Sequence, residues 1–228
     1  MSAPKATNVA SISLNAGIDR EKSASYTLIF FICGNPGLIG YYTTYLNTLH
    51  QLLHREAEDH SAYIHIYGQS LAGFSDDNTF PAQRPYGLEE QIQLLEKALT
   101  HKLNDPVHGR AKQFEKVILI GHSVGSYILL ELIQRTRLSS SSINISAGIL
   151  LFPTITYLAQ SPRGIIMSRL FHWQHSPQIL GNTLQRVLSL LPENVLVSLV
   201  RLVAQMPTEF AKITAGMLTS RIGIWQIL

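Results

Sequence analysis

The sequence predicts a mostly parallel, doubly wound α/β sheet followed by a helical segment, and three observations support this. Short apolar runs rich in β-branched and aromatic residues alternate with stretches of helical period. Two of the runs end in glycine-containing turns, Gly34-Asn-Pro-Gly37 and Gly121-His-Ser-Val-Gly125. The strand pattern stops near residue 152, and leucine-rich helical patterns replace it.

The elements follow in order. The opening MSAPKATNVASISLNAG is polar and lacks the apolar stretch of a secretory signal, so residues 1–24 are expected to form a tail. Tyr26–Cys33 is a continuous apolar run closed by a turn, which reads as a strand buried on both faces. Over 40–57, Tyr42, Tyr45, Leu46, Leu49 and Leu53 recur at three- and four-residue spacing, the mark of a helix packed on the sheet. Ala62–Tyr67 is a second strand, followed by a loop through Gly73 to Asp76 and Asp77, two carboxylates read as ending a surface loop. A helix over about 87–103 carries Leu88, Ile92, Leu95 and Leu99 on one face. Lys116–Ile120 is the third strand, and a helix then runs through Arg137. After the serines at 139–142 a fourth strand spans about 146–152. Beyond Pro153, helices are expected over 182–191 and 193–205, separated by Pro192. Leu184, Val187, Leu188 and Leu191 should line one face, and Leu196, Leu199, Val200 and Val203 the next. The expected organisation is a tail over 1–24, a core over 25–152 and a helical lid over 153–228.

A chain of 228 residues with 46% apolar residues can bury a real core, which excludes disordered and collagen-like classes. Its single cysteine, Cys33, cannot staple anything, and on a buried strand it reads as an inert thiol. Charge is uneven: residues 1–145 are nearly balanced, whereas 146–228 carry six basic and two acidic residues. No cluster of Lys or Arg interleaved with aromatics marks a nucleic-acid surface, so no nucleic-acid partner is expected. The basic, leucine-rich segment suits either a lipid surface or an ordinary pair of core-facing helices. No window reaches the ~18 uncharged apolar residues of a membrane span, so a soluble or peripheral protein is expected.

Gly121-His122-Ser123-Val124-Gly125 lies between a buried strand and an amphipathic helix. In that context a sharp turn lifts the Ser123 hydroxyl clear of the sheet, and the helix N-terminus beneath favours developing negative charge. An oxyanion hole there needs the N–H after the nucleophile, here Val124, and a second N–H from the loop after an earlier strand. The Gly34–Gly37 turn supplies such a loop, with the Asn35 N–H as donor, because Pro36 has none. His122 is read as packing or hydrogen-bonding locally.

With these residues in view, the chain resembles the α/β-hydrolase superfamily and, within it, the lipid droplet-associated serine hydrolases. The resemblance lies in Phe31-Ile-Cys-Gly-Asn-Pro-Gly-Leu-Ile-Gly-Tyr-Tyr42, Gly121-His-Ser-Val-Gly-Ser-Tyr127, Leu151-Phe-Pro-Thr-Ile155 and Ser161-Pro-Arg-Gly164. It implies a serine ester hydrolase acting on neutral lipids, with sterol esters a candidate class. It also implies action at the droplet surface and the endoplasmic reticulum, on the cytosolic face, without a cofactor or a metal. By the same match Ser123 is the nucleophile and Asn35 an oxyanion donor.

The sequence departs from that pattern in its base and acid, which should follow the serine in chain order. After Ser123 the only carboxylates are Glu131, Glu193 and Glu209, and the only histidines are His172 and His175. Glu131 sits about 12 Å along the elbow helix and is poorly placed. His172 and His175 flank Trp173 at the start of the lid and read as surface histidines, without the third ligand a zinc site would want. The expectation is therefore a hydrolase core truncated before its last strands, with acid and base beyond Leu228. A non-catalytic droplet-surface protein and an inactive truncated product are the alternatives. The second draws on the exposed edge that strand 146–152 would present.

Overall fold

The computed structural model describes residues 10–16, 25–59, 62–74, 84–105, 114–139, 143–157, 160–170, 176–220 and 222–227. Five strands form one sheet in the order β1-β3-β2-β4-β5. β2 (Ser25–Ile32), β3 (Ala62–Gln69), β4 (Lys116–His122) and β5 (Ile145–Leu151) are mutually parallel, and β1 (Ser11–Ala16) pairs antiparallel with β3. β1 corrects the expectation of an N-terminal tail. In it Leu14 and Ala16 turn inward while polar neighbours face out, and a half-exposed edge strand of this kind looks like a polar tail in a linear reading.

β2 is central because its residues tolerate burial on both faces. Phe30, Phe31 and Ile32 are fully enclosed, each worth about 1.5–3 kcal/mol of apolar transfer free energy. The helices α1 (Thr43–Asp59), α2 (Leu88–Asn104) and α3 (Val124–Leu138) cover the sheet. They do so through Leu46 on the first, Ile92, Leu95 and Leu99 on the second, and Ile128, Leu129 and Leu132 on the third. The first, second and third strands expected from sequence, and the helices after them, stand where the periodicity placed them, save that Ile39–Tyr42 forms a separate 3-10 turn before α1. Buried Gln91 of α2 clamps the loop after β3: its Nε2 donates to Ala72 O at 2.8 Å and its Oε1 accepts from Ala72 N–H at 2.9 Å.

After β5 the described residues hold only helices: α4 (Pro162–Leu170), α5 (Ser176–Ser189), α6 (Glu193–Ala204), α7 (Thr208–Thr219) and α8 (Gly223–Ile227). α7 was not foreseen, and it organises the group. Its Ala211 and Ala215 let α6 approach closely, and Leu196, Val197 and Val200 close over them. α7 also reaches the core, where Tyr41 Oη and Thr214 Oγ1 lie 2.7 Å apart. α8 is pinned by Gln226, whose amide donates to Tyr86 O and accepts from Tyr86 N–H. α7 and α8 thus sit over the segments that follow β2 and β3. The expected lid faces divide in two: Leu188, Leu191, Leu196 and Val200 pack inward, whereas Leu184, Val187, Leu199 and Val203 are exposed. Among the described residues, no helix is long and apolar enough to cross a membrane.

Candidate active site

The chain passes from β2 to β3 on one side and then crosses back past β2 to reach β4 on the other, so the strand order reverses between β2 and β4. In parallel sheets the crevice outside the carboxyl ends at such a switch point is where ligands bind. β2 and β4 are hydrogen-bonded parallel neighbours, with Ile32 opposite Gly121, so the turns that follow them meet at one edge.

Ser123 occupies the corner between β4 and α3 with φ 53° and ψ −121°. A non-glycine residue at positive φ costs of order 1–3 kcal/mol and persists only where its surroundings impose it. Here the imposition is visible. Ser123 N–H donates to Leu151 O at 2.9 Å, and its own carbonyl accepts from Ser126 N–H and Thr154 N–H. Both glycines of the pentapeptide are sterically required. A Cβ on Gly121 would lie 2.4 Å from Gly125 O, and one on Gly125 would lie 2.4 Å from Cys33 O. The corner is therefore pressed against the end of β2.

Gly34 completes that contact, since a Cβ there would lie 3.0 Å from Ser123 Cβ and 2.7 Å from His122 Nδ1. Its N–H donates to Tyr42 Oη at 3.0 Å, and Tyr42 Oη lies 2.9 Å from His122 Nδ1. One hydroxyl thus ties the turn after β2 to the elbow after β4. Burial, and then the neighbouring Cys33, push the Tyr42 hydroxyl up to about 12, so it stays protonated. Burial holds the His122 imidazole below its ordinary value, and its ring meets Tyr42 and Phe152 edge-on. Cys33 is enclosed, burial pushes its thiol up, and its Sγ donates to Gln69 O.

The structure thus brings together the Ser123 elbow and the turn that carries Asn35. Val124 is the first residue of α3, and Asn35 is exposed in its turn. Neither N–H has a hydrogen-bond partner among the described residues. Two neighbours went unread in the sequence. Thr154 Oγ1 lies 3.3 Å from Ser123 Oγ, and Tyr42 was read on a helix face and in the Phe31–Tyr42 segment, without a role at the site. The signal for Thr154 was its place just past the strand beside the nucleophile strand. Tyr42 gave none, because its role depends on two partners distant in sequence.

The carboxylates weighed as partners lie elsewhere. Glu131 is engaged with Tyr127 and Arg135 on α3, and Glu193 and Glu209 sit exposed in the first turns of α6 and α7. His172, His175, Asp76 and Asp77 lie outside the described residues. Among the described residues no group of three His, Cys, Asp or Glu side chains is arranged to hold a metal. The site can present a serine hydroxyl and two N–H donors, an arrangement suited to acyl transfer once a base is supplied.

A mostly parallel sheet with a strained serine elbow beside a glycine-containing turn defines an α/β-hydrolase core. The chain belongs to the lipid-droplet associated hydrolase family, whose model matches residues 25–228. It is 32% identical to the chicken lipid droplet-associated hydrolase over 80% of this chain and 53% of that protein. To the human one it is 31% identical, over 68% of this chain and 46% of that protein. The chain therefore spans about half the length of the curated relatives it matches. Among solved structures it is similar to esterase B from Lactobacillus rhamnosis, with a TM-score of 0.43 and 16% identity over 67% of this chain and 47% of that one.

Proposed function

We propose that the chain carries the nucleophile half of a serine ester hydrolase acting on neutral-lipid esters, sterol esters among them. The observation that carries this reading is the positive φ of Ser123, held by Leu151, Ser126 and Thr154 between two glycines that cannot bear a side chain. A serine kept in that conformation by so many constraints is placed for chemistry rather than for packing. In this reading Ser123 Oγ attacks the ester carbonyl, and the Val124 and Asn35 N–H groups hold the developing oxyanion. The base and its orienting acid come from the portion of the curated relatives that this chain does not span. The place of action is the droplet surface, in keeping with the relatives' names, together with the endoplasmic-reticulum surface, both reached from the cytosolic side. The domain division proposed is a core closing at residue 152 and a lid over 153–228.

Fluorophosphonate labelling tests both parts of the proposal. The 228-residue chain alone is compared with the same chain joined to the C-terminal half of the chicken relative. Rapid labelling only in the joined chain, lost in Ser123→Ala, is expected. Rapid labelling of the 228-residue chain alone would place the base within it, and labelling that survives Ser123→Ala would move the nucleophile elsewhere. One observation favours a non-catalytic surface role for the chain by itself: among the described residues, the polar side chain beside Ser123 Oγ is that of Thr154, which is no base.

A further inference from the structure

Phe152 is aromatic, exposed and held in a costly backbone conformation, and it stands beside the nucleophile. Among the described residues, the non-glycine residues at positive φ are Ser123, Phe152, Tyr157 and Gln205. Three of them have a local reason. Ser123 forms the elbow, Gln205 ends α6 in the left-handed conformation, and Tyr157 O accepts the Gln160 N–H at 3.0 Å in a turn. Phe152, with φ 45°, caps no helix. A bulky side chain in that region is an outlier, and it persists only where its surroundings impose it. Here the elbow imposes it from both sides. Leu151 O accepts the Ser123 N–H at 2.9 Å, and Thr154 N–H donates to Ser123 O at 3.2 Å. Phe152 lies between these two bonds, so its backbone cannot turn away without releasing the nucleophile.

Packing does not repay this conformation. Phe152 is 85% exposed, more than any other large apolar side chain among the described residues. Its ring meets that of His122 at a centroid distance of 6.1 Å and an interplanar angle of 71°, a T-shaped contact that sets the ring's orientation. His122 itself adjoins Ser123 in the chain. The strain therefore delivers one thing, an apolar ring in the open next to the serine that attacks. A site for an ester needs two kinds of surface: a few polar groups that fix the carbonyl, and apolar ones that hold the hydrocarbon attached to it. The Val124 and Asn35 N–H groups and the Thr154 hydroxyl are of the first kind, and the Phe152 ring is of the second.

We propose that Phe152 is a substrate-contact residue whose exposed ring forms the apolar wall against which the hydrocarbon chain beside the ester carbonyl lies when Ser123 attacks. This rests on the serine-hydrolase reading above and deepens it by naming a residue that sets chain-length preference. The rival claimant for the ring is the portion of the relatives that this chain does not span, which would bury it as core.

The experiment compares labelling rates in the chain joined to the C-terminal half of the chicken relative. Two pairs of fluorophosphonates are used. In one the carbon-linked chain, counterpart of the acyl group, is ethyl or octyl; in the other the alkoxy chain, counterpart of the alcohol, is ethyl or octyl. In each, the Ser123 Oγ–P bond forms as the P–F bond breaks, fluoride leaves and the hydroxyl proton passes to the base. Asparagine tolerates positive φ and is polar, so Phe152→Asn should slow the octyl reagent about tenfold in at least one pair and leave the ethyl reagents within about twofold. The pair that responds assigns the wall to the acyl or the alcohol side. Phe152→Tyr keeps the ring and should label at close to the parent rate. The thermal midpoint of Phe152→Asn should not fall. Equal effects on ethyl and octyl reagents, no effect on either, or a lower midpoint would overturn the proposal, the last by making the ring part of the core.

A second measurement needs no turnover. 4-Fluorophenylalanine is placed at Phe152 of the 228-residue chain, and its fluorine resonance should move on addition of 2-decanone, a ketone with an octyl chain, and stay in place with acetone. The same label at Phe114, which precedes β4 at the other end of the sheet, should not respond. If the joined parent fails to label at all, the esterase reading falls and this resonance decides the wall by itself: movement at Phe152 alone upholds it, and no movement, or equal movement at Phe114, overturns it.

Discussion

The Tyr42 hydroxyl lies 2.9 Å from His122 Nδ1 while accepting the Gly34 N–H at 3.0 Å. With Gly34 as the donor, the tyrosine's own proton is free to point at His122 Nδ1, an arrangement that suits a neutral ring protonated on Nε2. Burial pushes the imidazole the same way, towards the neutral form. A histidine whose pKa is lower folded than unfolded costs stability as pH falls. The contribution is whole above the unfolded value of 6.5 and is lost on descending from there through the folded value. Tyr42→Phe removes the donor to the neutral ring, so the His122 midpoint should rise toward 6.5, read from its imidazole proton resonances. An unchanged midpoint would mean that the hydroxyl does not donate to Nδ1.

The glycine that closes the pentapeptide supports the core rather than chemistry. A Cβ on Gly125 would lie 2.4 Å from Cys33 O and 2.5 Å from Ile32 O, and both are backbone atoms of the central strand that cannot swing away. Gly125→Ala should therefore destabilise the chain by about 2–3 kcal/mol in urea unfolding. Gly87→Ala is the control: it adds a Cβ whose nearest neighbour is Glu90 Oε2 at 3.6 Å, so its effect should stay within about 1 kcal/mol.

How far the sequence could be read follows the physics of each element. β2 and β4 were legible because a strand buried on both faces must be apolar throughout. β1 was hidden because Ser11, Ser13 and Asn15 face outward and interrupt the run. α7 packs through Ala211 and Ala215, residues whose smallness matters only once α6 is known to lie against them. The Ser123 elbow was legible because its steric demand is local and falls on two glycines four residues apart. Tyr42 and Thr154 were not, since each meets the elbow from a separate strand end. The lid helices read as singly amphipathic, and a second apolar face cannot be told from a wider first one until a neighbour claims one side.

β5 ends the sheet as a parallel strand with Ser146 through Leu150 exposed, Ile149 by 44%. Beside it, Ile133, Ile143 and Gly148 line a groove of about 420 Å³. Flat apolar edges of this kind template pairing with other chains, and a lysine on the edge blocks it. Ile149→Lys should reduce light scattering of the 228-residue chain at 37 °C several-fold without lowering its thermal midpoint. A fall in the midpoint would show that Ile149 is needed inside the fold rather than left over at its margin.

Thr154 is the side chain that meets the nucleophile, and its contribution can be separated from that of its backbone. Its N–H donates to Ser123 O at 3.2 Å, a bond that any residue but proline supplies. Its hydroxyl, 3.3 Å from Ser123 Oγ, holds that oxygen at one side of the turn over a longer distance than a strong O–H···O bond. A net worth near 1 kcal/mol corresponds to about fivefold in a rate that depends on where the oxygen points. In the chain joined to the C-terminal half of the chicken relative, Thr154→Val keeps the size and the N–H and removes the hydroxyl, so fluorophosphonate labelling should slow about fivefold. Thr154→Ser restores the hydroxyl and should label at close to the parent rate, although it lacks the methyl group. If valine and serine slow labelling equally, the methyl packing rather than the hydroxyl is what Ser123 requires.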